Sequence, residues 1–357
     1  MPDATWLFLI FFVSFFAVTH VVTRVARRLA VHLGVHDMPD MERKIHTTPK
    51  PKLGGMALYV GFVLGMVALA VFGLTGEIAS GRLAALLVGG AILVIGGALD
   101  DKYDLPPLIQ FLFPLSAALL VIGSGMHISY ITNPLGGAIV LDQFKIGTYP
   151  VLGSLVVLVW ILGMTYTTKF LDGMDGLVSG ISGIAGLVIF GLSLAPAVQQ
   201  TTTAFVALVF AAVCFGFLPL NFHPAKIFLG EGGSTFTGFM IGVLAVISGG
   251  KIATALLVLG IPILDAAWVI ARRLWFRRSP FAGDKGHLHF RLLDVGLSQR
   301  QAVLLLYFLA AVFGGVAVFL QGLGKLIALG ILFAVMVVVA IGVVILYRRN
   351  NGQKFKD

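Results

Sequence analysis

Only 11% of the 357 residues are charged, so carboxylates that recur at short spacing stand out. Asp100 and Asp101 are adjacent. Two neighbouring carboxylates repel, which raises one pKa and suits that group to accept a proton near neutral pH. The same oxygens suit Mg²⁺, a hard cation. Asp172 and Asp175 lie three apart in Lys169-Phe170-Leu171-Asp172-Gly173-Met174-Asp175-Gly176-Leu177, on one side of a turn if that stretch is helix. Gly173 and Gly176 leave room for backbone to approach a bulky ligand. The plain alternatives are a polar stop at a helix end and a turn closed by Asp-Gly pairs. For Asp100 and Asp101 the plain alternative is weaker, because carboxylates at a helix C-terminus oppose its macrodipole.

Four further stretches carry chemistry-bearing residues. Lys50-Pro51-Lys52-Leu53-Gly54-Gly55 offers phosphate an ammonium at Lys52 and close backbone N–H groups; a basic patch on anionic lipid is the simpler reading. Asn221-Phe222-His223-Pro224-Ala225 precedes Gly230-Glu231-Gly232-Gly233-Ser234, which fits a metal–diphosphate complex through Glu231 or a capped helix with no ligand. His287-Leu288-His289, flanked by Lys285 and Arg291, can bind a pyrophosphate or orient a nucleotide. It can also be a basic surface loop, and for zinc it lacks a third soft ligand. Asp265 lies within an apolar run. It is either a transport residue or, the favoured reading, a buried acid paired with a nearby Arg or Lys.

The elements that position these residues are membrane-spanning helices. The hydrophobic fraction is 58% and the mean hydropathy +1.00, and several apolar runs reach spanning length. The expected fold is an all-α integral membrane protein, one polytopic bundle of about eleven helices over 4–23, 53–74, 83–99, 107–123, 151–168, 177–195, 201–218, 235–249, 252–271, 302–320 and 325–346. With the N-terminus outside and the C-terminus cytosolic, 21 of the 25 Lys and Arg fall on inner segments, leaving Arg82, Lys145, Lys251 and Lys325 outside. The net charge of +9 then reports loop bias facing membrane lipid rather than a nucleic-acid partner. The cytosolic loops are 24–52, 100–106, 169–176, 219–234 and 272–301, and they carry every stretch named above except Asp265. The outer segment 124–150 is expected to hold a small hairpin around Ile139-Val140-Leu141 and Phe144-Lys145-Ile146. The single Cys214 excludes an internal disulfide and a Cys-cluster metal site. No sequence repeat is evident.

In their order, these motifs resemble the polyprenyl-phosphate N-acetylhexosamine-1-phosphate transferases, the WecA/TagO/MraY superfamily within glycosyl transferase family 4. The resemblance runs from about Arg43 to Gln301. It covers Pro51–Gly55, the Asp-Asp pair, Asp172-Gly173-Met174-Asp175-Gly176-Leu177, Asn221–Ala225, the Gly-x-x-Gly-Ser loop and the His-x-His loop. The last loop looks more like the GlcNAc-1-phosphate branch than the peptidoglycan (phospho-MurNAc-pentapeptide) branch, whose loop carries consecutive histidines. The resemblance implies transfer of a sugar-1-phosphate from a UDP-N-acetylhexosamine to undecaprenyl phosphate in the bacterial cytoplasmic membrane, with the active site facing the cytosol. It implies Mg²⁺ or Mn²⁺ as cofactor, with Glu231 the metal ligand. Asp100 or Asp101 is then the proton acceptor or helps to place the metal, and Asp172 and Asp175 organise the phosphates and nucleotide. Lys52, Lys169, Asn221, His287, His289 and Arg291 become substrate contacts, and a homodimer is the implied assembly. Two positions depart from the family's Asn-x-x-Asn-x-x-Asp: here they are Tyr166 and Lys169. Where the family has Gly-Asp-x-Gly-Ser, this chain has Glu231. Either Lys169 sits against Glu231 and supplies charge in place of the metal, or Glu231 still binds Mg²⁺ and Lys169 contacts a phosphate. A secondary transporter is the alternative from another class.

Overall fold

The computed structural model describes residues 4–354 except 39–47, 77, 134–136, 148, 197, 250–251, 278–286 and 321. Of the residues named above, Arg43, Lys251 and Lys285 lie outside the described residues.

A backbone in hydrocarbon must satisfy its own polar groups, and helices do so within one segment. Accordingly the apolar runs form α1 (Ala4–Leu33), α2 (Gly54–Val71), α3 (Ser80–Tyr103), α4 (Pro107–Gly123), α5 (Val151–Leu171), α6 (Leu177–Leu194) and α7 (Thr201–Asn221). They continue as α8 (Gly230–Ile247), α9 (Ile252–Val258), α10 (Gly260–Trp275), the short α11 (Leu288–Asp294), α12 (Gln299–Phe319) and α13 (Leu323–Lys354). Among the described residues nine helices are long and apolar enough to span. The bent pair α9–α10 makes a tenth if it is one span, one fewer than the eleven expected, and α4 is apolar but shorter than a span. The expected run over 252–271 is broken by 83° between α9 and α10. Pro262 has no N–H to donate to the Val258 carbonyl, which weakens the helix at that turn and favours the break there.

The core is built around α7 and α8. In α8 89% of the spanning window is buried, against 17% in α1 and α13, which present apolar side chains outward. Helix α8 packs on α2, α3 and α5, and α7 on α1 and α6. Among the described residues there are three two-stranded antiparallel pairs: β1 (His36–Asp37) with β2 (Lys50–Pro51), β3 (Tyr130–Thr132) with β4 (Ala138–Val140), and β5 (Lys145–Ile146) with β6 (Tyr149–Pro150). The expected pairing of the 139–141 and 144–146 stretches is therefore replaced by two hairpins on either side. A glycine of positive φ borders each pair, Gly137 (78°) before β4 and Gly147 (61°) after β5.

Candidate active site at one end of the bundle

Close backbone approach at glycines sets the site's frame. A Cβ on Gly55 would collide with the Gly233 backbone, and one on Gly97 with the Gly232 backbone. The start of α2, the end of α3 and the start of α8 can meet only because these side chains are absent. The extended chain after β2 then pairs with the residues before α8. Phe228 N donates to Pro51 O (2.8 Å), Gly54 N to Phe228 O (3.1 Å) and Gly55 N to Leu229 O (2.8 Å). The Lys50 ammonium donates to Ala225 O at 2.9 Å. The Gly54 and Gly55 amides, read from sequence as a phosphate cradle, are thus already bonded within the protein.

On this frame sits a cavity of about 540 Å³ whose walls include Lys50, Lys52, Asp101, Lys169, Asp172, Asp175, Asn221 and Glu231. The Lys52 ammonium lies 2.9 Å from Asp37 Oδ1 and 3.5 Å from Asp101 Oδ1. Burial opposes its charge, but the Asp101 and Asp37 carboxylates outweigh burial and raise its pKa. Asp101 Oδ2 accepts the Glu231 backbone N–H at 3.0 Å, a favourable place for a carboxylate at the positive end of α8. The Lys169 ammonium lies 2.5 Å from Glu231 Oε1 and donates to Gln110 Oε1 at 3.0 Å. Asp172 caps α5 with its side chain open to the cavity. Partial desolvation by the cavity walls, then the charges of Asp101 and Glu231, raise its pKa.

The two members of each aspartate pair have different surroundings. Asp100 turns away from the cavity. Its Oδ1 accepts from Leu105 N and from Gln110 Nε2, both at 2.9 Å, which closes the turn from α3 into α4. Asp175 Oδ2 accepts from His223 Nδ1 (2.8 Å) and Ala225 N (3.0 Å), tying the Asp-Gly turn to the α7–α8 loop. Asn221 is engaged as well: its Oδ1 accepts from Ser179 Oγ at 2.8 Å and its Nδ2 donates to Ile227 O at 3.0 Å. It touches the cavity, but its amide organises the loop.

His287, His289 and Arg291 do not line the cavity; from their stretch Phe290 does. Both histidines are buried behind the wall, His289 at 1% exposure, with their rings stacked at 5.5 Å. Burial above all pushes the His289 pKa down to about 4, so at neutral pH this ring is uncharged and brings no cation to a diphosphate. His287 is held by Asp265, whose Oδ2 lies 2.9 Å from Nδ1 and whose Oδ1 accepts the Leu288 N–H at 2.8 Å. The buried acid expected to pair with Arg or Lys pairs with a histidine instead.

Sequence reasoning also passed over Asp37 and Gln110, and it quoted His223 within a motif without giving it a role. Gln110 is the one polar side chain early in the apolar run of α4, and that isolation was its signal. Asp37 gave none, because its contact with Lys52 needs the β1–β2 pairing, and the partner of His223, Asp175, lies in another loop.

Asp101, Asp172 and Glu231 are the carboxylates a divalent cation would use. Among the described residues no three His, Cys, Asp or Glu side chains converge in metal-ligating geometry, and ammoniums already sit against Asp101 and Glu231. The donor set does not fit an ion ligated through Glu231.

Comparison with known proteins agrees with this architecture. The profile described as glycosyl transferase family 4 matches residues 83–249. A probable undecaprenyl-phosphate N-acetylglucosaminyl 1-phosphate transferase of Bacillus subtilis (strain 168) is 33% identical over 307 residues, covering 83% of this chain and 80% of its own. The chain belongs to glycosyl transferase family 4. Other members of the family include a decaprenyl-phosphate N-acetylglucosaminephosphotransferase of Mycobacterium leprae (strain TN), 37% identical over 74% of this chain and 72% of its own. An undecaprenyl-phosphate alpha-N-acetylglucosaminyl 1-phosphate transferase of Escherichia coli (strain K12) is 27% identical over 77% and 74%. In this family-4 chain the transporter alternative loses its main support, since Asp265 is engaged by His287 and Leu288.

Proposed function

We propose that this chain transfers GlcNAc-1-phosphate from UDP-GlcNAc to undecaprenyl phosphate, giving a lipid diphosphate-sugar and UMP, at the cytosolic face of a bacterial cytoplasmic membrane. The observation that carries the reading is the cavity in which Lys50, Lys52 and Lys169 face Asp101, Asp172 and Asp175 at one end of the apolar bundle. A lipid phosphate can reach such a place from the bilayer and a nucleotide sugar from water. The names of the relatives supply the substrate class.

In the reaction an oxygen of the lipid phosphate bonds to the β-phosphorus, and the bond from that phosphorus to the bridging oxygen breaks. UMP leaves with the electron pair. Where the lipid phosphate arrives singly protonated, Asp101 is placed to take the proton, being the one member of the Asp-Asp pair that faces the cavity. Lys52 keeps Asp101 oriented and adds positive charge beside it. Asp172 borders the same space, and Asp175 fixes the loop through His223 and Ala225. Ammoniums around the phosphates stabilise charge as it spreads over the transferring group, the main catalytic device in phosphoryl transfer.

The test is UMP release by the purified full-length protein in detergent with undecaprenyl phosphate and UDP-GlcNAc. Release that requires both substrates supports the proposal. Absence of release with UDP-GlcNAc, but release with another UDP-N-acetylhexosamine, would change the sugar and keep the reaction.

A further inference from the structure

Tyr166, Lys169 and Glu231, the positions that depart from the resembled pattern, form one cluster. Lys169 Nζ lies 2.5 Å from Glu231 Oε1 and 5.8 Å from the centre of the Tyr166 ring, over its face. Gln110 Oε1 accepts from the same nitrogen at 3.0 Å, and Gln110 is itself held by Asp100 and the Leu105 carbonyl. Lys169 also sits in the last turn of α5, where the helix dipole favours positive charge. A carboxylate, an amide oxygen, an aromatic face and a helix end thus converge on one ammonium at the cavity wall. A divalent ion taking Glu231 as ligand would lie within about 5 Å of that ammonium, against direct charge repulsion.

We propose that Lys169 is a built-in cation of this active site: its ammonium, anchored by Glu231, Gln110 and Tyr166, neutralises the transferring phosphate, and transfer proceeds without a divalent metal. This rests on the function proposed above. Lys169 touches the reacting phosphate and is a catalytic residue in that sense. Glu231 and Gln110 are positioning residues that hold its tip. No covalent step is added. The bonds formed and broken are those of the transfer itself, and the ammonium keeps its protons.

The experiment measures UMP release by the full-length protein in detergent, with excess EDTA and with Mg²⁺. The expected result is equal rates within about twofold, and a loss of about 100-fold for Lys169→Ala under both conditions. A fall of more than about tenfold in EDTA that Mg²⁺ restores would overturn the proposal while leaving the reaction standing. No release in either condition would remove the reaction, and the proposal with it. Lys169→Cys guards against a folding artefact. The native Cys214 is buried, so aminoethylation modifies the introduced thiol and returns an ammonium. Recovery of activity is expected, and failure of a folded, fully modified protein to recover counts against the proposal. A readout independent of turnover is Mn²⁺ binding followed by EPR. Wild type should bind no Mn²⁺ in a way that Glu231→Gln abolishes, whereas Lys169→Asn with Glu231→Asp should gain a site. Glu231-dependent Mn²⁺ binding by wild type would sink the idea.

Discussion

Asp101 reaches from the last turn of α3 to the first turn of α8, where its Oδ2 accepts the Glu231 backbone N–H at 3.0 Å. Its neighbour Asp100 faces the other way and closes the α3–α4 turn through Leu105 and Gln110. Adjacent residues on a helix point about 100° apart, so one aspartate serves the cavity and the other the frame. Asp101→Asn should lower kcat by about 100-fold or more with little change in thermal stability. Asp100→Asn should keep activity within about tenfold and cost about 1 kcal/mol of stability. Steady-state UMP release and melting curves on both variants check this. Equal losses of kcat would refute the division of roles.

Removing the Asp265 carboxylate should loosen the segment that follows the α10–α11 connection. Asp265→Ala strips the partners from His287 and from the Leu288 amide and leaves both buried. The expected cost is about 1–3 kcal/mol, read as a lower melting temperature. Faster hydrogen exchange over 287–294 should accompany it. Unchanged exchange there would show that Asp265 does not hold the loop.

Acid should destabilise the protein through His289. Its folded pKa is depressed to about 4, mainly by burial, below the usual value near 6.5. The stability it contributes is present above the unfolded pKa and is lost as pH falls from about 6.5 toward 4, where the unfolded chain takes up the proton first. The limit of that loss is about 3 kcal/mol. Melting temperatures of wild type should drop over this window, and those of His289→Leu should drop less. Parallel curves would mean that other groups set the acid sensitivity.

The glycine crossing is expected to be intolerant. Gly97→Ala places a methyl against the Gly232 backbone, which cannot move like a side-chain tip. A cost of about 1–3 kcal/mol or more follows from overpacking. Gly123→Ala, with open space around it, is the control. Comparable melting temperatures for the two variants would contradict the packing described here.

The spans were readable because apolar run length reports directly on bilayer crossing. The break at Leu259 was not, since hydropathy is blind to the missing Pro262 amide. In the site, Asp101, Asp172, Glu231 and Lys169 were found because charge beside long apolar runs is rare. The Lys169–Glu231 contact was reachable because two departures from one pattern pointed at each other. The histidines misled: His-x-His reads as a polar motif, and only the fold shows both rings turned inward against Gly173 and Asp265. Gln110 and Asp37 act through partners that no local spacing reveals.

The amides that open α2 are bonded to the 228–229 carbonyls, and the Glu231 amide that opens α8 to Asp101. These three amides are therefore taken by the frame, and the cationic groups facing the cavity are side-chain tips such as Lys52 and Lys169. Skeleton and chemistry become separable inheritances. An ionic part can be exchanged one residue at a time without refolding the frame, and Tyr166, Lys169 and Glu231 are side-chain parts of that kind.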